Sequence, residues 1–268
     1  MTQPLIGTDW TAGGFADIYK PFIERGGAQA VFVRQNRGAD TDISPIKDDG
    51  ITLGWSPFAQ DNKLRDDLFI RRRNKTQWFY VTDPNEGFFH IGSQTEAGGA
   101  ERTPNTSSDK LRVLQSPWTV DSVITEREYT VRFVAVQTAD PLVQYLEHEL
   151  PLVDDLGNPV VPLPGTPNYG VGPLLESPET EYQILLLYRR VTSAGPIYRV
   201  EGYPACKLDE QASKQRSKTD PDVADLTYSV EPSEHFIVPH PVTGEPVPGL
   251  FYVWMGGPGW AAHQSTGS

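Results

Sequence analysis

Apolar and polar residues alternate most sharply in "REYTVRFVAVQT", where Tyr129, Val131, Phe133 and Ala135 fall on one side and Glu128, Thr130, Arg132 and Val134 on the other. Successive side chains leave a pleated strand in opposite directions, so a period of two marks a strand with one buried face. The same period runs through "ETEYQILLLYRRV", setting Tyr182, Ile184, Leu186 and Tyr188 opposite Glu181, Gln183, Leu185 and Leu187. "SAGP" makes a turn after it, and "IYRVEGYPACKL" reads as its hairpin partner. "AQAVFVRQ", "DDLFIRRRNKTQWFYVT", "GFFHIGSQTEAGG" and "LTYSVEPSE" read as further strands. A final strand over Phe251 to Trp254 runs into the glycine turn that carries Trp260.

One stretch changes period. In "TADPLVQYLEHELPL", Thr138 or Asp140 stands as an N-cap, Pro141 follows near the first helical position, and Leu142, Tyr145, Leu146 and Glu149 recur at helical spacing before Pro151 ends the run. This is the one helix predicted. "QTEAGGAERTPNTSSDK" lacks large apolar residues and is expected to be a mobile loop, and "KLDEQASKQRSKTDPDVAD" a charged excursion. The pattern therefore predicts a mainly β fold, a sandwich or barrel of antiparallel strands with one flanking α-helix and long loops. We expect a single domain over residues 1–268, with an arm and loops over 1–67 and the β-rich core over 68–268, its helix near 140–150.

Composition agrees. Of 268 residues, 24 are Gly and 24 Pro, a usage that favours short strands and turns over long helices. The N-terminus has neither a basic region nor an apolar run, so no signal peptide is expected, and no run of apolar residues is long enough to predict membrane insertion. The single cysteine, Cys206, can form no internal disulfide and reads as a buried thiol made in a reducing compartment.

The formal charge is −12, and its distribution says more than its sum. No Lys or Arg occurs between Arg132 and Arg189, or after Lys218, whereas Arg71, Arg72, Arg73 and Lys75 form a basic block. One side of the molecule should be acidic. Tight nucleic-acid binding needs a continuous basic footprint, which this chain lacks; a surface that repels a polyanion fits better.

Catalytic signatures are missing: there is no nucleophile elbow, P-loop, zincin motif or C-x-x-C. "DTDISPIKDDGI" starts like a calcium loop, but Pro45 takes the place of the required Gly and Ile51 that of the bidentate Glu. Ser44 near Lys47 and Ser108 near Lys110 lack the companion elements of a serine–lysine enzyme. The five histidines are scattered, and His148 between Glu147 and Glu149 reads as solvated helix surface. No catalytic, cofactor or metal residue is predicted, and a non-enzymatic chain is expected.

Several stretches, in order, resemble the major tail tube protein of long-tailed phages, in the version found in phages of actinobacteria. They are "GFFHIGSQTE", "LRVLQSPWTVDSVITEREYTVRFVAVQTADPLVQYLEHELPLVDDLGNP", "EGYPACKLDEQASKQRSKTDPDVADLTYSVEP" and "GGPGW", covering roughly the C-terminal two-thirds. The resemblance implies a virion protein whose hexameric rings stack into a tube, with strands from six subunits closing an inner barrel. DNA passes through that barrel, which a tape-measure protein occupies beforehand; tail terminator and distal tail proteins are the further partners, and no C-terminal Ig-like domain is expected.

On that basis Glu128, Thr130, Glu179, Glu181 and Gln183 are expected to face the lumen, and Arg71, Arg72, Arg73, Trp254 and Trp260 to lie at subunit or ring interfaces. The arm before Asp67 and the loops at 98–110 and 208–220 are candidates for ring-to-ring contact. A tail terminator, and a β-sandwich receptor- or carbohydrate-binding tail component with exposed aromatics as its platform, are the alternatives.

Overall fold

The computed structural model describes residues 28–75, 77–83, 86–95, 99–112, 119–175, 179–213 and 221–264. Twelve strands and two short α-helices follow in order among them. The strands are β1 (Ala28–Gln35), β2 (Arg71–Arg73), β3 (Trp78–Tyr80), β4 (Phe89–His90), β5 (Glu101–Arg112), β6 (Thr119–Ala135), β7 (Tyr182–Thr192), β8 (Gly195–Gln211), β9 (Ala224–Val230), β10 (Ile237–Pro239), β11 (Pro246–Pro248) and β12 (Tyr252–Gly256). Helix α1 (Pro141–Glu147) lies between β6 and β7, and α2 (Pro258–Gln264) follows β12.

The fold is mainly β and antiparallel. Its large sheet runs β4-β1-β7-β8-β9-β6-β5, with β12 joining the edge of β8. The two ends of this path belong to one chain segment. Ile91 N donates to Val31 O on β1, and three residues later Gln94 bridges Ala135 on β6, so the chain from β4 to β5 closes the sheet into a barrel-like layer. Among the described residues, closure joins the two ends of the sheet that would otherwise stand as open edges.

The barrel interior takes one side of each pleat. Val31 and Val33, Val131 and Phe133, Tyr182, Ile184 and Leu186, and Leu226 and Tyr228 converge there, joined by Leu142, Val143 and Leu146 of α1. Asp140 starts that helix as expected, its carboxylate accepting from Leu142 N at 2.9 Å. A second apolar cluster lies on the opposite face of β1, β7 and β8: Phe32, Leu185, Val200 and Trp254 are covered by Ile43, Leu68, Phe88 and Phe236 from the loops. β7 therefore buries both faces over Tyr182 to Leu186, which explains its continuous apolar run.

Several expectations are corrected. Within the first 67 residues the strand read over "AQAVFVRQ" is β1, an interior strand paired with both β4 and β7, so the stretch is not arm and loops throughout; residues 1–27 lie outside the described residues. "DDLFIRRRNKTQWFYVT" is a small β2–β3 hairpin rather than one strand. "QTEAGGAERTPNTSSDK" is not a loop throughout: from Glu101 to its end it belongs to β5, twelve residues long. The glycines after Trp254 lead into a helix: Gly257, at φ 106°, turns the chain, Pro258 opens α2, and Gly257 O accepts from Trp260 N and Ala261 N.

Candidate assembly surface

Loops cover only half of the barrel's outer face. Among the described residues nothing packs over the other half, on β9, β6 and the end of β8, whose outward side chains are polar and half-buried to exposed. β9 alternates strictly, with Ala224, Leu226, Tyr228 and Val230 buried and Asp225, Thr227 and Ser229 turned outward. Register places Thr130 beside Ser229, Arg132 beside Thr227, and Lys207 beside Ser229.

The two cations on this face are each matched. Arg132 donates to both oxygens of Asp225 at 2.8 and 2.6 Å, which raises the guanidinium pKa. Lys207 lies 3.0 Å from Glu179 and 3.6 Å from Glu181, and Glu179 foremost raises its pKa in turn. The ribbon beside them adds carboxylates that have no such match among the described residues.

That ribbon is the β5–β6 hairpin. β9 accompanies β6 only over Thr130 to Ala135, so among the described residues β6 has no partner on that edge over 119–129, and β5 has none along its outer side. From Pro104 to Arg112 the ribbon extends roughly 30 Å beyond the barrel at the usual rise of an antiparallel strand. The described side chains over 103–110 and 121–128 are exposed, whichever face they occupy.

The two faces differ in charge. β5 alternates regularly through a bulge in its partner between Ser107 and Ser108. The face continuous with the bare outer surface carries Glu101, Asp109, Asp121, Glu126 and Glu128. The opposite face carries Arg127 and Lys110, with Ile124 and Tyr129 and no carboxylate among its described residues.

A buried network holds the ribbon's root. Glu201, 4% exposed, accepts from Tyr203 Oη at 2.7 Å and pairs with Arg199 at 2.7 Å and with Arg102 of β5 at 3.5 Å. Burial, then the carboxylate of Glu201, pushes the Tyr203 phenol well above its ordinary pKa. Arg102 also lies over the Phe251 ring, 4.8 Å from its centre, and Tyr129 meets the same ring edge-on at 5.2 Å. The ribbon leaves the barrel from a rigid base.

Four of the five residues expected to face a lumen thus share the bare face or its margin: Glu128 and Thr130 on β6, and Glu179 and Glu181 beside Lys207. Gln183 is a correction. It is 2% exposed and accepts from Arg34 Nε at 2.9 Å and from another guanidinium nitrogen at 2.6 Å. Arg34 is itself buried over the Phe88 ring, and burial, with Arg65 nearby, lowers its pKa to about 9. The loop through Thr41 covers both residues, as Thr41 O accepts from Arg34 at 2.7 Å.

The expected interface residues also divide. Arg71 is buried, ion-paired to Asp140 and close to Trp78 and Phe89, so it serves the subunit's interior. Arg72 donates to Asp66 O and lies over Phe69; Arg73 is exposed with no ion pair among the described residues. Trp254 is 8% exposed, against Trp55 at 5.3 Å and Tyr252 at 5.0 Å, so its cover comes from its own chain. Trp260, in α2, is half-buried.

Sequence reasoning missed β5 and the carboxylates it aligns, since a strand polar on both faces has no apolar period. Its Thr and Ser content and the absence of Gly between Glu101 and Arg112 were the only local signals. Of the loops expected to join rings, residues 98 and 214–220 lie outside the described residues. No group of three or more metal-ligating side chains occurs among the described residues. No protein-family model matches the chain, and no curated protein matches it in sequence.

Proposed function

We propose that this chain is a structural subunit that polymerises through its β5–β6 ribbon into rings, the rings stacking as the tail tube of a long-tailed phage. The observation that carries the reading is a ribbon with two edges unpaired among the described residues, exposed side chains on both faces and a root held by the buried Glu201 network. A lone two-stranded hairpin is marginal in water, and unpaired edges recruit further strands. The β5 edge of one copy can take the β6 edge of the next, and repetition of this unlike pairing closes a ring.

The charge of the ribbon supports the same reading. With Glu101, Asp109, Asp121, Glu126 and Glu128 on one face, a ring of ribbons has a carboxylate-lined bore, which keeps a passing polyanion mobile instead of binding it. The ring is a hexamer by resemblance, and the chain's work is assembly and passage, not catalysis. Tape-measure protein and DNA are the successive occupants of the bore.

The test is electron microscopy of concentrated protein, alongside a variant in which residues 107–126 are replaced by a two-residue Asn-Gly turn between the paired Thr106 and Arg127. The full chain should give rings or tubes and the shortened chain a folded monomer. Rings from the shortened chain, or a full chain that remains a monodisperse monomer and binds a glycan, would overturn the proposal.

A further inference from the structure

Away from the ribbon, β2, β3 and the loop after Val161 enclose an open groove lined by Arg73, Gln77, Trp78, Leu163, Pro164 and Thr166. Its lining combines Trp78, Leu163 and Pro164 with Arg73, Gln77 and Thr166 and holds no carboxylate. Arg73 and the nearby Lys75 are exposed, and neither has an ion pair among the described residues. The basic block therefore offers two cations beside a half-buried tryptophan, while Arg71 is spent on the interior.

The chain also carries a feature of matching character. Between Ile46 and Leu53, which bridge each other, a tight turn projects Ile51 at 87% and Leu53 at 83% exposure. The turn is held in shape, because Asp49 accepts from Ile51 N at 2.9 Å, Thr52 N at 2.8 Å and Thr52 Oγ at 2.5 Å. These bonds, that of the Thr52 hydroxyl first, keep the Asp49 carboxyl below its ordinary pKa. With Asp48 it gives the tip two carboxylates against one lysine, Lys47. Two bare aliphatic side chains on a preorganised turn lose little conformational entropy on docking.

We propose that the Asp48–Leu53 tip of one copy seats in the Arg73–Trp78–Pro164 groove of a second copy. Ile51 enters against Trp78 and Pro164, and Asp48 and Asp49 meet Arg73 and Lys75. Tip and groove are different patches, so the contact is head-to-tail and leaves a free tip on one copy and a free groove on the other for further copies. It rests on the polymerising reading and adds a second contact between copies, apart from the ribbon edges.

Cysteine cross-linking tests it, since native Cys206 is fully buried and silent in the folded chain. Ile51→Cys and Gln77→Cys are made in separate chains, mixed before assembly and oxidised, with electron microscopy of the same samples. A disulfide-linked dimer should form in the mixture and in neither variant alone. Leu156→Cys, an equally exposed leucine in another acidic turn, should give none with Gln77→Cys. Rings without the Ile51–Gln77 cross-link, or equal cross-linking by Leu156→Cys, would overturn this contact and leave the ribbon reading standing; a chain that never self-associates would overturn both.

Discussion

Asp140→Ala attacks two interactions at one carboxylate. One oxygen accepts from Leu142 N at 2.9 Å and caps α1; the other pairs with Arg71, whose side chain is 3% exposed. Losing the cap costs about 1 kcal/mol. Leaving a guanidinium buried without its counter-ion costs about 3–5 kcal/mol. The second effect dominates, because α1 is short and rests mainly on Leu142, Val143 and Leu146 in the core. The expected loss is on the order of 4 kcal/mol, read in urea as a lower midpoint at unchanged slope. Asp140→Asn keeps an acceptor for Leu142 N and should lose somewhat less. The double variant Arg71→Met/Asp140→Ser, which strands no charge and can still cap, should be milder than Asp140→Ala. If Asp140→Ala stays within about 1 kcal/mol of wild type, the pair is not the buried interaction described. If Arg71→Ala leaves the midpoint unchanged and impairs only assembly, Arg71 belongs to an interface after all.

Gly202→Ala would place a methyl 2.6 Å from Trp254 Cζ3 and 3.2 Å from Leu185 Cδ2, and should destabilise by about 1–3 kcal/mol in thermal melts; an unchanged melt would refute the close approach. Burial and Arg71 hold the His90 imidazole below its ordinary value of 6.5, so the unfolded chain binds that proton more readily. The resulting stability is full above that value and lost as pH falls through it toward the folded pKa, so acid should weaken wild type more steeply than His90→Gln. Glu126→Lys/Glu128→Lys should leave subunit stability within about 0.5 kcal/mol while assembled tubes begin to retain DNA in a salt-sensitive way. Tubes that retain none would place the acidic face away from the bore.

Much of the fold was legible because its determinants are local or strongly periodic. Tyr129 to Ala135 and Tyr182 to Tyr188 alternate, Asp140 and Pro141 open a helix, and Ser193 and Ala194 join β7 to β8 in a two-residue turn. The bare face was partly legible, as Glu128 and Thr130 alternate with core residues on the same strand. Gln183 shares that alternation and still lies buried, because which half of an outer face is covered depends on a loop some 140 positions earlier in the chain. Arg71, Arg72 and Arg73 look alike as a basic block, but a strand sends neighbours to opposite faces, and here the first meets Asp140.

By itself the sequence determined the antiparallel β class, the apolar strands, the position of α1 and the scarcity of basic charge after Arg132. Those follow from backbone propensity, the two periods and composition, which need no distant partner. Tertiary structure decided the closure of the sheet, the second core around Trp254, the choice among the three arginines and, above all, the existence of β5. A strand without an apolar face is stabilised by the hydrogen bonds and register of its neighbour, so Glu101 to Arg112 becomes a strand only because β6 runs beside it.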